Sequence, residues 1–316
     1  MKDKKRDTRN VIKRDAANAP KKKNRIVLKS GLIMLGIAVI GLVVWVLTPY
    51  QATESMDKYL ADTSQIAELP NKSVELDALS VEEGSGINGF SKDVMADAVE
   101  LNSSSNGAEA EKILVPQNVT VTIDDDGHIV LQPEKAYAGM IFYPGGRVKY
   151  DAYIPLMYKL AERGFTCVIV KMPLNFAVLD INGADGITEK YSGIDRWFIG
   201  GHSLGGAMAA RYVAEHAEKY EGLMLLGAYS VDDLTETELK VFLAYGTQDG
   251  VINRNSYDKN LQKLPMGSRE LIIVGGCHAY FGDYGKQLGD GHPYITREEQ
   301  MDYTIDAFVE YVNSAD

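Results

Sequence analysis

The pentapeptide Gly201-His202-Ser203-Leu204-Gly205 constrains this chain more than any other part of it. It follows an apolar run, Trp197-Phe198-Ile199-Gly200, and leads into Gly206-Ala207-Met208-Ala209-Ala210, a stretch of helical composition. A G-x-S-x-G between a strand and a helix has the form of a nucleophile elbow. The strand must turn sharply into the helix, which forces the central residue into a strained backbone conformation that only small neighbours tolerate. The serine hydroxyl then stands out at the strand's end, beside a helix N-terminus whose free N–H groups and positive dipole end stabilise an oxyanion. Ser203 is the candidate nucleophile. The plain alternative is a glycine-rich turn with an exposed serine.

Nucleophilic serine chemistry needs a base and an orienting acid, and after an elbow these follow in the order acid, then histidine, each just past a later strand. Val241-Phe242-Leu243-Ala244-Tyr245 reads as a buried strand ending in Gly246-Thr247-Gln248-Asp249-Gly250, so Asp249 is the candidate acid. Glu270-Leu271-Ile272-Ile273-Val274 reads as the last strand and runs into Gly275-Gly276-Cys277-His278, so His278 is the candidate base. Rivals remain. Asp232 and Asp233 follow the apolar run Gly222-Leu223-Met224-Leu225-Leu226, and His292 lies in Asp290-Gly291-His292-Pro293 with no strand leading into it. His202 points away from the nucleophile by strand alternation, His216 is expected on a solvated helix face, and His128 belongs to a turn.

An oxyanion hole takes one N–H from the residue after the nucleophile, here Leu204, and another from the loop after an earlier strand. That strand is Ala138-Gly139-Met140-Ile141-Phe142-Tyr143, opening into Pro144-Gly145-Gly146-Arg147. Proline has no N–H to give. Gly145 is therefore the expected second donor and Gly146 the fallback, since glycine lets backbone approach substrate closely.

These four motifs, in this order, resemble the α/β-hydrolase superfamily, and most nearly its small, lidless, dienelactone-hydrolase-like members. The resemblance covers about residues 136–316. It implies a mostly parallel central sheet flanked by helices and acyl-ester hydrolysis through a serine. One departure matters: dienelactone hydrolases proper carry a cysteine as nucleophile, whereas this chain has Ser203, so their lactone substrate is not carried over. Amide or thioester cleavage uses the same parts, and a catalytically silent binding head is the reading from a different class.

The two cysteines offer no second nucleophile. Cys167 sits in the apolar strand Phe165-Thr166-Cys167-Val168-Ile169-Val170, and Cys277 adjoins His278 too closely in sequence to face it. A disulfide between them is conceivable outside the cytoplasm, but two cysteines do not make a framework.

Charge is divided along the chain. The first 29 residues hold twelve Lys or Arg against three Asp, while the rest holds 21 against 41, an asymmetry hidden in the net −11. No charge occurs between Lys29 and Glu54, and Gly31 to Thr48 is almost wholly apolar. At about 1.5 Å per residue such a run reaches roughly 27 Å, enough to cross a hydrocarbon core. The basic flank predicts a cytoplasmic N-terminus and a catalytic head outside, and the absence of an A-x-A site disfavours a cleaved signal peptide.

The expected organisation is a basic cytoplasmic tail over 1–29, a transmembrane anchor over 30–50, a stalk or loosely packed linker over 51–111, and an α/β-hydrolase catalytic domain over 112–316. The expected partners are a small-molecule ester and, through the anchor, the membrane. The basic tail fits anionic lipid better than nucleic acid, which the acidic remainder would repel. No phosphate loop or metal-ligand spacing is seen, so no cofactor or metal is expected. Asn118–Ile123 and His128–Leu131 about Asp124-Asp125-Asp126-Gly127 predict a hairpin edge, Asp151–Arg163 and Thr296–Asn313 predict helices, and Lys171–Phe176 is expected beside the acyl pocket.

Overall fold

The computed structural model describes residues 48–53 and 118–314. The expected basic tail, nearly all of the expected anchor and most of the expected stalk lie outside the described residues. No helix among the described residues is long and apolar enough to cross a membrane.

Eight strands form one sheet in the order β1-β2-β4-β3-β5-β6-β7-β8. They span Val119–Ile123 (β1), Ile129–Pro133 (β2), Ala138–Tyr143 (β3), Phe165–Ile169 (β4), Trp197–His202 (β5), Gly222–Leu226 (β6), Lys240–Gly246 (β7) and Arg269–Ile273 (β8). β1 and β2 form the expected antiparallel hairpin, turning where the Asp124 carboxylate accepts the N–H groups of Asp126 and His128. β2 is antiparallel to β4, and every later pairing is parallel. The edge strand β1 alternates buried and exposed residues, whereas β3 to β6 are buried throughout. Parallel strands covered on both faces read this way because neither face meets water.

Both faces are covered. On one, α1 (Ile154–Glu162) and α5 (Arg297–Asn313) pack over Met140, Phe142, Phe198 and Phe242. On the other, Ala209, Ala210 and Val213 of α3 (Leu204–Ala214) pack over Ile141, Ile199 and Leu225. Two short helices, α2 (Ile187–Lys190) and α4 (Arg254–Asn260), complete the α-helices among the described residues. The closing helix starts where expected: Thr296 and Glu299 form a reciprocal capping box, and Met301, Ile305, Phe308 and Val309 face inward. The helix expected from Asp151 opens instead as a 3-10 turn over Tyr150–Tyr153, because Pro155 suits only the first turn of the α-helix that follows. β8 ends a residue early, leaving Val274 exposed before Gly275 turns with φ 82°.

The strand order sets where a site can form. From β3 the chain moves to β4 on one side and then crosses to β5 on the other, so the connections leaving β3 and β5 part company. Ligands in open α/β sheets bind in the crevice such a switch creates at the strands' C-terminal ends. Pro144–Gly146 and Ser203 both lie there.

Before the hairpin, the short segment Tyr50–Thr53 is bonded to this same body. Tyr50 forms a parallel bridge with Val148: its N–H donates to the Arg147 carbonyl at 2.6 Å and its carbonyl accepts from the Lys149 N–H at 3.0 Å. Thr53 donates its N–H to the Asp283 carbonyl at 2.9 Å and its hydroxyl to the Asp283 carboxylate. Gln51, expected to begin a stalk, therefore sits within a segment clasped to the body of the fold.

Candidate active site

Ser203 stands between β5 and α3 with φ 53° and ψ −122°, outside the region open to ordinary L-residues. Its neighbours are glycine for a measurable reason. A Cβ on Gly201 would approach the Tyr143 oxygen to 2.6 Å, and one on Gly205 would approach the Tyr143 and Pro144 oxygens to 2.2 and 2.3 Å. Strand, elbow and oxyanion loop thus interlock through backbone. The other described non-glycine residues with positive φ are Arg147, Leu174 and Asn175, on the oxyanion loop and the segment bonded to it. Strain of this kind, costing about 1–3 kcal/mol per residue, persists where surrounding structure enforces it and clusters at functional sites.

The candidate acid and base lie side by side. His278 Nδ1 lies 2.8 Å from Asp249 Oδ2, with both side chains sealed from solvent. Asp249 Oδ1 accepts the N–H groups of Val251 and Ile252 at 2.9 Å each, which fixes the carboxylate's orientation. With Nδ1 as donor to this carboxylate, Nε2 carries the lone pair, and it is buried without a hydrogen-bond partner. β6 links this pair to the nucleophile. The Leu226 carbonyl accepts the Ser203 N–H at 2.9 Å, and a Cβ on the next residue, Gly227, would lie 2.8 Å from His278 Nδ1 and 3.3 Å from Asp249 Oδ2.

The rival residues are engaged elsewhere. Asp232 pairs with Arg211, and Asp233 binds the backbone and hydroxyl of Thr235. His292 is exposed. His128 accepts the Lys171 N–H at Nδ1. His216 lies just past α3, half-buried, stacked on Tyr212 at 4.2 Å and bonded to that residue's carbonyl, so the expected open helix face is a packed corner. Both cysteines are buried and free, and burial pushes the Cys277 thiol up to about 12, which leaves it protonated.

The oxyanion loop differs from expectation at one residue. The Gly145 N–H is buried and already donates to the Tyr153 hydroxyl at 3.0 Å, because the 3-10 turn before α1 brings that ring beneath the loop. The fallback, Gly146, is partly exposed, and a Cβ there would touch the Leu204 side chain at 3.1 Å. Among the described residues no hydrogen bond takes the N–H of Gly146 or of Leu204. These two donors, with Ser203 partly exposed beside them, form the open part of the site.

Three residues that sequence reasoning left out hold this geometry. The fully buried Tyr153 hydroxyl also reaches His202 Nδ1 at 2.8 Å. His202 is a structural residue, as expected, yet its ring centroid lies only 4.4 Å from that of His278. Burial first, and the neighbouring His278 second, hold its pKa well below the usual histidine range, so it is neutral and accepts from the tyrosine. Asp290 ties the acid and base loops together: one oxygen accepts from His278 N–H at 3.0 Å and Gly250 N–H at 3.2 Å, the other from Ala279 N–H at 2.8 Å. Gln300 of α5 brackets Cys277, accepting its N–H at 2.9 Å and donating to its carbonyl at 2.8 Å. No local pattern marks these roles, since each depends on contacts far along the chain.

One cluster resembles a metal site in composition. Asp124, Asp126 and His128 present ligand atoms within 4.8 Å of one another, but the Lys190 ammonium sits 2.9 Å from both carboxylates and supplies the positive charge there.

A family model described as the alpha/beta hydrolase family matches residues 139–302. No curated protein matches the chain. Among solved structures it is similar to a predicted CIB-like hydrolase from Thermoplasma acidophilum, at 18% identity and TM-score 0.46, covering 61% of this chain and 98% of that one. It is also similar to TT1662 from Thermus thermophilus, at 15% identity and TM-score 0.46 over 63% and 100% of the two chains. A dienelactone hydrolase from Anabaena variabilis is similar at 16% identity and TM-score 0.44 over 62% and 99%.

Proposed function

The chain belongs to the alpha/beta hydrolase family, and from that premise we propose that it is a membrane-anchored serine hydrolase that cleaves carboxylic esters, with its catalytic head outside the cell. The observation that carries the proposal is the sealed His278–Asp249 pair, with a free Nε2, joined through the end of β6 to a serine on a strained elbow. Ser203 Oγ attacks the ester carbonyl while His278 Nε2 takes its proton. The tetrahedral oxyanion accepts the N–H groups of Leu204 and Gly146. The imidazolium returns the proton to the departing alkoxide, leaving an acyl-serine and the alcohol. Water, deprotonated by the same Nε2, then attacks the acyl carbon, and the carboxylic acid leaves as Ser203 regains its proton. Asp249 holds the tautomer and stabilises the transient positive charge.

The anchor rests on the apolar run ending at Thr48, and the orientation on the basic residues before it. One experiment tests nucleophile and topology together. A membrane-impermeant fluorophosphonate applied to intact cells should label the wild type and spare Ser203→Ala. Absence of labelling even in lysates refutes the nucleophile; labelling only after lysis reverses the topology. A panel of matched oxygen esters, thioesters and amides on labelled enzyme then tests the ester assignment.

A further inference from the structure

We infer that this site acts on esters that remain embedded in a lipid surface, with the acyl chain left in the bilayer while only the ester group enters. The inference rests on the anchored-hydrolase reading above and names the substrate class of that same site. It starts from the Tyr50–Thr53 clasp. The apolar run ends at Thr48, and two residues later Tyr50 is bridged to Val148, flanked by its hydrogen bonds to Arg147 and Lys149. Two peptide steps reach at most about 7 Å. Val148 is itself only two residues past Gly146, the proposed oxyanion donor. A bilayer left at Thr48 is therefore tethered at the rim of the site, with no length of free chain between the two.

The rim is built to meet such a surface. The Arg147 N–H donates to the Asn175 carbonyl at 2.8 Å, so the segment after β4 is bonded to the same loop that holds Tyr50. That segment carries Leu174, Val178 and Leu179, which are 56%, 51% and 56% exposed. Two of its residues, Leu174 and Asn175, hold positive φ, a strained conformation that persists where the surrounding structure enforces it. Arg147, Lys149 and Lys171 stand on these same segments, in a portion of the chain where acids outnumber bases 41 to 21. Apolar side chains rimmed by cations are what an anionic lipid interface accepts. The short crossover from β6 to β7, residues 227–239, contains no helix to enclose an acyl chain, and a substrate whose chain stays in lipid requires none.

The test uses the full chain in phosphatidylcholine–phosphatidylglycerol vesicles, with p-nitrophenyl acetate in the water and methylumbelliferyl palmitate in the bilayer. Two altered chains are compared with the wild type: V178S/L179S, and one with a flexible Gly-Ser spacer of about thirty residues after Thr48, roughly 30 Å of mean reach. Acetate turnover should be unchanged in both. Palmitate turnover should fall about three- to thirty-fold in the double variant, from lost apolar insertion, and at least several-fold with the spacer. Undiminished palmitate turnover in the spacer chain, whose catalytic body is unaltered, overturns the inference even if the double variant misfolds. Failure of the wild type to hydrolyse acetate or take fluorophosphonate refutes the hydrolase reading instead, and release of the protein from vesicles by carbonate refutes the anchor. Both of those outcomes remove the inference with them.

Discussion

Asp249 differs from every other carboxylate near the sheet's C-terminal edge in what it does to His278. It fixes Nδ1 as the protonated nitrogen and so leaves Nε2 basic. Asp249→Asn should keep the shape and lose the tautomer, with kcat falling on the order of ten-thousand-fold, the loss such a change produces in other triads. Asp232→Asn, which only loosens the Arg211 pair, should stay within a few-fold. Steady-state kinetics on one ester decide between them, and an equal loss in both would undo the acid assignment. His202 makes a separate prediction about stability. Its folded pKa lies below the ordinary 6.5 because it is buried beside His278. As pH falls through about 6.5 the unfolded chain takes up a proton that the folded one refuses, so the stability present above that pH declines below it. The slope approaches one proton, about 1.4 kcal/mol per pH unit. Urea unfolding between pH 7 and pH 5 should show a steeper decline for the wild type than for His202→Asn, whatever their absolute stabilities. His128, also depressed by burial, adds the same background to both chains. Parallel declines would mean that His202 is not held neutral.

At the scale of elements, what the sequence discloses depends on how local its cause is. The elbow was legible because its glycines answer to backbone atoms a few residues away and to one neighbouring strand. The acid and base were legible because each ends an apolar run, and parallel strands deliver their C-terminal loops to one edge. The engagement of the Gly145 N–H was not legible, because its partner, the Tyr153 hydroxyl, comes from a turn whose height under the loop is set by helix packing. The same holds for Asp290, whose segment drew notice only for His292, and for Gln300, one polar residue on the apolar side of α5. Gly227 went unremarked too, although it closes the site from β6 with φ 52°. An alanine there would set a methyl group 2.8 Å from His278 Nδ1. Gly227→Ala should therefore displace the imidazole from Asp249 and lower kcat by about a hundred-fold or more, with KM little changed. A kcat near wild type in a folded Gly227→Ala protein would show that the ring does not rest on β6.

For the whole molecule, the clasp decides where the catalytic body begins. Removal of the apolar run alone, in a chain starting at Thr48, keeps the Tyr50 bridge, the Tyr50–Tyr284 ring contact at 5.5 Å and the Thr53 bonds to Asp283. A chain starting at Glu54 loses them all. Each backbone hydrogen bond contributes about 1 kcal/mol net and an aromatic pair a similar amount. For a body of this size 1 kcal/mol moves the melting temperature by about 2–4 °C, so the shorter chain should melt roughly 5–10 °C lower. Stability is only part of the effect. The bridge lies on Arg147–Lys149, immediately after Gly146, so its loss frees the loop segment that follows the proposed oxyanion donor. The shorter chain should accordingly lose kcat on p-nitrophenyl acetate at a temperature where both chains are fully folded, with KM nearly constant, because an oxyanion contact strengthens only as charge develops on the substrate oxygen. Equal melting temperatures and equal kcat would mean that Tyr50–Thr53 merely passes over the body. Equal melting temperatures with a lower kcat would assign the clasp to the oxyanion loop alone, and a lower melting temperature with unchanged kcat would leave it a structural strap.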